Sequence, residues 1–386
     1  MSNKIAQAFK VTFANIFILL ALITLGNIFA VIFINQYNAS KTKQYANSHL
    51  FPNYEGIDWA RKHFEEYDNL TKGYFASFVG WRRPEYSGET INIDENGLRR
   101  TVGLDDAEPN QTIALYGGST MWGTGANDET TIPSYVAQKS PNLKAYNFGE
   151  TGYISHQSFN RFFESYSTGF RPDIVVFYDG VNDVWNRCRR EHGSYSHARE
   201  QEIRTFLANR KEASLLDVVG PMNDLAGRVK RTLASRKRVA EGPYDCKESP
   251  EKAERVARNL LYDWRLMKDL VEGYGGRFIA ILQPHAYISK SRIDHLSLDP
   301  RLGEEYAAVY PQVVNLMKEE FPDLQENFLD LRTALDDVDE AFYIDWCHLS
   351  PNGNEIIASY IVGRLNQGDS SKSTKLLTPF VIGNGN

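Results

Sequence analysis

Late in the 386-residue chain, Asp345 and His348 stand three residues apart in Asp345-Trp346-Cys347-His348-Leu349-Ser350-Pro351. An imidazole can take a proton from a hydroxyl and later return it to a leaving group. A carboxylate at this spacing can bond the other ring nitrogen and hold the tautomer. Such a pair needs a nucleophile, and Gly117-Gly118-Ser119-Thr120 offers one at the end of a short apolar run. A serine on a tight strand-to-helix turn presents its hydroxyl at the sheet edge. Its own N–H then lies near a helix N-terminus, where developing negative charge is favoured. Taken alone, the tetrapeptide reads first as an ordinary glycine-rich turn with a serine cap. A phosphate-binding loop is disfavoured, because no Gly-Lys-Ser/Thr ending follows. Metal ligation by Asp345 and His348 is the rival reading, but one Asp and one His without companions make a weak set. No metal and no cofactor are expected.

Two further segments carry groups suited to an oxyanion. In Asn147-Phe148-Gly149-Glu150-Thr151-Gly152, glycines let backbone N–H groups approach a ligand closely. In Gly180-Val181-Asn182-Asp183, the Asn182 carboxamide is a donor that does not titrate. The plain alternatives are a turn and an Asx cap. Lesser candidates for substrate contact are Met121 and Trp122, which follow the serine, and His285 in Gln283-Pro284-His285. Core packing is the default for Trp122, and a structural role is the default for His285. Cys347 is read as packing rather than as a nucleophile.

These segments must be positioned by something. Apolar runs at residues 112–116, 144–148, 173–178, 277–282 and 327–331 read as strands. Helical patterns over 252–272, 304–320 and 354–365 separate or follow them. The first of these helices carries an apolar stripe of Val256, Leu260, Leu261, Trp264, Leu266 and Leu270. Strands alternating with helices predict a parallel sheet covered on both faces, an α/β fold. In such a sheet ligands bind beyond the carboxyl ends of the strands, where the serine, glycine and asparagine segments fall.

The four segments, in this order, resemble the blocks of the SGNH/GDSL hydrolases. The resemblance spans roughly residues 112–365, without much of an insertion at 184–250. It implies a flavodoxin-like, three-layer α/β/α domain with a central five-stranded parallel sheet. It implies catalysis by Ser119, His348 and Asp345, with an oxyanion hole made by Ser119, Gly152 and Asn182. In one respect the chain departs from the family pattern. Gly118 stands where the family name places Asp, and Thr120 where it places Leu. Gly-Gly-Ser variants look similar to members that act outside the cytoplasm on glycans.

Outside that domain, residues 11–34 contain no Asp, Glu, Lys or Arg. As a helix they span about 36 Å, against a hydrocarbon core of about 30 Å, so a retained transmembrane signal anchor is expected over 1–35. A cleaved signal peptide, with its shorter apolar core, is the alternative. Lys4 and Lys10 before the span are balanced by Lys41 and Lys43 after it, so charge does not orient it. The family resemblance places the catalytic domain on the extracytoplasmic side, periplasmic or at the cell surface. Residues 36–110 form a stalk or accessory region, and a helical spacing of Trp59, Phe64 and Tyr67 is followed by short strands and turns over 78–100. Residues 111–366 form the hydrolase domain. Within it, 184–250 is a lid-like insertion with weak helical pieces near 199–207 and 215–237. Residues 367–386 form a disordered tail. The chain has 42% apolar residues and a net charge of −6, which supports a large core and argues against nucleic acid as a partner. Cys188 and Cys246 flank the insertion, either as a disulfide or as two unpaired thiols.

The preferred expectation is a membrane-anchored serine esterase acting on O-acyl, above all O-acetyl, esters of a glycan or lipid. An O-acyltransferase on a cell-surface polysaccharide would use the same triad. A non-catalytic glycan-binding assembly factor on the same fold is the third reading.

Overall fold

The computed structural model describes residues 2–40, 45–70, 73–103, 108–193, 195–208, 219–227, 229 and 243–369. Helix α1 (Ser2–Ser40) contains the stretch Gln7–Gln36, which is long and apolar enough to cross a membrane. Helix α2 (Ala60–Asn69) follows, then two short hairpins, β1 (Tyr74–Ala76) with β2 (Gly80–Arg82) and β3 (Tyr86–Ser87) with β4 (Asn92–Ile93). The principal sheet comprises β5 (Gln111–Gly117), β6 (Leu143–Asn147), β7 (Ile174–Asp179), β8 (Arg277–Leu282) and β9 (Phe328–Asp330). Its order is β6-β5-β7-β8-β9 and every pairing among these strands is parallel. The five strands read from the sequence are these five, with ends that differ by at most one residue.

Parallel pairing demands crossovers, and helices supply them on both faces. They are α3 (Ser119–Trp122), α4 (Ile132–Lys139), α5 (Ser155–Ser167), α6 (Val181–Arg187), α8 (Pro250–Gly273), α9 (Pro300–Glu320) and α10 (Pro351–Asp369), while α7 (Glu200–Ala208) belongs to the other compact unit. Strand β7 shows why the runs are apolar rather than alternating. All six of its residues are buried, with Val175 and Phe177 in one core and Ile174, Val176 and Tyr178 in the other. The first core is closed by α5, α8 and α9 through Phe162, Trp264 and Tyr306. The second is closed by α4 and α10 through Val136, Ile357 and Ile361. On α8 the buried stripe is Val256, Leu260, Leu261, Trp264, Met267 and Val271. Leu266, expected on it, is 52% exposed, because two residues beyond Trp264 the helix has turned about 200°.

The described chain divides into two compact units, Met1–Ala46 with Arg199–Pro243, and Asn47–Ala198 with Tyr244–Asn386. The stretch expected as a stalk therefore belongs, from Asn47 onward, to the unit that holds the sheet. Arg99 explains why. Its side chain is buried, pairs with Asp128 at 3.1 Å and donates to the Gly123 and Ala126 carbonyls at 2.7 and 2.6 Å. Its backbone bridges Asn147 at the exit of β6. The insertion leaves this unit after α6, and Cys188 and Cys246 are joined as a disulfide at its base. Residues 209–218, 228 and 230–242 lie outside the described residues, and with them most of the helix expected over 215–237. The expected disordered tail lies outside them from residue 370 onward.

Candidate active site

The exit of β5 delivers Ser119 as the first residue of α3, after the extended Gly118. The segment bearing Asp345 and His348 is a tight loop closed by a bridge between Tyr343 and Leu349 and by the Ile344 N–H on the His348 carbonyl at 3.0 Å. Two ties seat it at the sheet edge. The Ala286 N–H beyond β8 donates to the Trp346 carbonyl at 2.9 Å, and the Thr120 hydroxyl donates to the Cys347 carbonyl at 3.3 Å. Residues more than two hundred positions apart are thereby brought into line.

Ser119 Oγ lies 2.6 Å from His348 Nε2, and His348 Nδ1 lies 2.6 Å from Asp345 Oδ2. An ionised carboxylate only accepts, so Nδ1 carries the ring hydrogen and Nε2 is left to accept from the serine hydroxyl. The second carboxylate oxygen, Asp345 Oδ1, accepts the N–H groups of Cys347 and His348, both at 2.9 Å. Burial works to raise the Asp345 carboxyl, but the His348 ring and these backbone donors outweigh it and hold it down to about 2. Asp345 is thus ionised at any working pH. Cys347 lies between them with Sγ 3.7 Å from His348 Nδ1. Burial first, and then the Asp345 charge, push its thiol well up, so it stays a neutral thiol. Asp345, Cys347 and His348 are close enough to share a metal ion. A neutral thiol is a poor ligand, however, and the other two are already engaged with each other.

Gly152 and Asn182 stand on the neighbouring exits. Gly152 has φ +80°, a conformation that favours glycine, with the Trp81 indole against it and Trp81 Nε1 donating to the Thr151 carbonyl at 3.0 Å. Asn182 opens α6, and its Nδ2 donates to the Tyr153 carbonyl at 2.9 Å. One amide hydrogen is so employed; the group has a second. A Cβ built on Gly118 would collide with this same Nδ2. The departure from the family's Asp thus fits the close seating of Asn182 against the serine turn. Ser119, Asn182 and His348 are each 6–8% exposed.

Three expected substrate contacts are not at the surface. Met121 packs in the second core with Ile132 and Val136, fully buried. Trp122 is fully buried with Ile91 and Ile93, its ring covered by the guanidinium groups of Arg83 and Arg99 at 4.6 and 4.4 Å. His285 is fully buried among Tyr306, Tyr310 and Tyr287, and neither ring nitrogen has a hydrogen-bond partner. Burial fits the default readings of Trp122 as core packing and of His285 as structural, and it departs from substrate contact at all three for one reason. Proximity in sequence to a strand end does not decide which way a side chain turns. Conversely, Trp81 borders Gly152, and Arg99 holds the carbonyls that follow α3, both from a region without a recognisable motif.

The GDSL-like Lipase/Acylhydrolase family model matches residues 113–361. The chain belongs to this family. It is an ester-hydrolysing enzyme with one N-terminal helix long and apolar enough to span a membrane. Solved structures similar to this acylhydrolase include a carbohydrate acetylesterase family member from Sinorhizobium meliloti. That match has 14% identity, covers 67% of this chain and 99% of that one, and has a TM-score of 0.38. An acetyl xylan esterase, AlAXEase, matches at 13% identity over 65% of this chain and 98% of its own, with a TM-score of 0.37. A GDSL-like lipase from Bacteroides thetaiotaomicron matches at 12% identity over 67% and 89%, with a TM-score of 0.38. No curated protein matches the acylhydrolase chain in sequence.

Proposed function

We propose that the chain is a membrane-tethered serine esterase that removes O-acyl groups, above all O-acetyl, from a glycan or lipid through an acyl-enzyme on Ser119. The observation that carries this reading is the unbroken relay from Ser119 Oγ to His348 to Asp345, with both links at 2.6 Å. His348 takes the serine proton as Oγ attacks the ester carbonyl, then passes it to the departing alcohol. Water, deprotonated by the same ring, attacks the acyl carbonyl and releases the acid and free Ser119. The N–H groups of Ser119 and Gly152 and the second amide hydrogen of Asn182 receive the oxyanion.

A small acyl group is favoured because Met121 and Trp122, next to the nucleophile, are closed into the core. An extracytoplasmic domain is favoured by the Cys188–Cys246 disulfide, since such bonds persist in oxidising compartments. On this reading the tether is Gln7–Gln36, the hydrolase body is 47–198 with 244–369, and Arg199–Pro243 is the insertion between its two parts in sequence.

Hydrolysis of a short-chain aryl ester by the full chain, measured beside Ser119→Ala, tests the reading. Activity is expected to fall by at least about a thousandfold. Activity that survives in Ser119→Ala contradicts it. Acetyl release from an acetylated polysaccharide that is outpaced by acetyl transfer to a second glycan would turn the reading toward an acyltransferase.

A further inference from the structure

Behind the two expected oxyanion donors lies a buried cluster of charged groups that the triad does not use. Asp183 and Asp263 are 1% and 4% exposed, and Arg187 between them is fully buried. Arg187 Nη1 is 2.8 Å from Asp183 Oδ1, and Nη2 is 3.7 Å from Asp263 Oδ2. The Ser155 hydroxyl sits between the carboxyl groups, 2.7 Å from Asp183 Oδ1 and 2.6 Å from Asp263 Oδ2. A hydroxyl has one hydrogen, and an ionised carboxylate has none. Two oxygen–oxygen contacts this short need two hydrogens, so the second must come from a carboxylic acid. Charge acts in the same direction. Asp183, Asp263 and Arg187 sum to a net negative charge, the buried Asp179 carboxyl beside them adds to it, and negative charge sealed from water favours a retained proton.

The cluster also ties together the segments that carry the donors. Asp183 accepts the Ser155 N–H at 3.1 Å and the Gly180 N–H at 3.3 Å. Ser155 opens α5 three residues after Gly152, and Gly180 precedes Asn182 by two. The Asn182 amide closes the ring on the Tyr153 carbonyl. Moving either carboxyl group would therefore move the Gly152 turn against the Asn182 turn.

We propose that Asp183 and Asp263 share one proton across the Ser155 hydroxyl, and that this neutralised cluster is the positioning device that holds Gly152 and Asn182 in register with Ser119. The inference rests on the reading of those two residues as oxyanion donors. Other polar groups face the cluster from each surrounding element: His156 and Ser158 on α5, Asp179 at the end of β7, Trp264 on α8 and Tyr310 on α9. His156 Nδ1 contacts the outer oxygen of Asp263 at 2.9 Å, and Asp179 bonds Ser158 and Trp264 rather than Ser155. Burial pushes the Asp183 carboxyl up, and Arg187 only partly offsets it, consistent with a retained proton.

The test compares Asp263→Asn, Asp263→Leu and Ser155→Ala in the full chain on a short-chain aryl ester. An amide always carries its hydrogens, so Asn reproduces the neutral partner and leaves one carboxylate facing Arg187. Asp263→Asn is expected to keep kcat within about threefold of the parent, while Ser155→Ala and Asp263→Leu lose at least about tenfold in kcat with KM little changed. An Asp263→Asn variant as impaired as Asp263→Leu overturns the shared proton, and parental kcat in Ser155→Ala overturns the positioning role. Should the Leu or Ala variants fail to fold, infrared spectroscopy of parent and Asp263→Asn decides. The carbonyl band of buried carboxylic acid must weaken in the variant, and an unchanged band overturns the proposal. Ser119→Ala, run alongside, separates the two levels. Activity that survives it removes the esterase reading, whereas loss there with parental Ser155→Ala removes only the present inference.

Discussion

His348 and His285 both stand beyond the carboxyl edge of the same sheet, and only one of them has partners at its ring nitrogens. Both ring nitrogens of His348 are engaged at 2.6 Å, one by Ser119 and one by Asp345, and the ring keeps a sliver of exposure. Neither ring nitrogen of His285 is engaged, and its ring is packed on Tyr306 and Tyr310 at centroid distances of 4.2 and 4.8 Å. Burial, helped by the Arg332 charge, pushes His285 down to about 3, so it stays neutral. The carboxylate makes the difference. Asp345 gives His348 a partner for the proton it gains, and the apolar and phenolic shell around His285 gives none. A histidine at a sheet edge is thus read by its second nitrogen, not by its address.

Removing either ring breaks the comparison in opposite ways. His348→Ala is expected to lower kcat for a short-chain ester by at least about a thousandfold, as loss of the base leaves Ser119 unactivated. His285→Phe is expected to leave kcat and KM within about twofold, since the ring reaches no solvent and gives up no hydrogen bond. Asp345→Asn sharpens the point by keeping the shape while removing the charge. A drop of roughly a thousandfold or more is expected, because the amide can turn a donor toward Nδ1 and favour the wrong tautomer. Asn182→Ala follows with a loss of about 100-fold in kcat, the typical cost of one oxyanion donor. Steady-state kinetics on one soluble ester checks all four.

The smallest effect concerns stability and pH. A histidine held at about 3 in the folded chain and near 6.5 when unfolded binds its proton more readily in the unfolded state. Stability is then fully present above about pH 6.5 and falls progressively as the pH drops toward 3. His285→Phe removes that contribution. Thermal melting across this window is expected to be less acid-sensitive in the variant than in the parent. Parallel curves would contradict a buried neutral His285.

Much of this is legible in the amino-acid sequence. Strand β7 declares itself by six consecutive residues that must be buried on both faces, and α8 by its stripe from Val256 to Val271. The Ser119, Gly152 and Asn182 segments are legible because each carries a chemical group after a strand, Asp345/His348 because of its three-residue spacing, and all four because they arrive in order. Side-chain direction was not legible. Met121 and Trp122 turn inward because α3 is a single turn pressed between two cores, which no local pattern reports. The role of residues 47–103 was also hidden. Arg99 contacts carbonyls more than twenty positions away, and Trp81 meets Thr151 across seventy, so neither leaves a spacing to read. Helix α4 leaves little pattern because it is eight residues long, whereas α5 carries a stripe of Phe159, Phe162, Phe163 and Tyr166 that helical spacing does report.

Mapping a fluorophosphonate adduct by mass spectrometry on the folded full chain tests the central claim most directly. The account predicts a single adduct on the peptide containing Ser119, formed at parental rate in His285→Phe and lost in His348→Ala. An adduct on another serine, or equal labelling in His348→Ala, would contradict it.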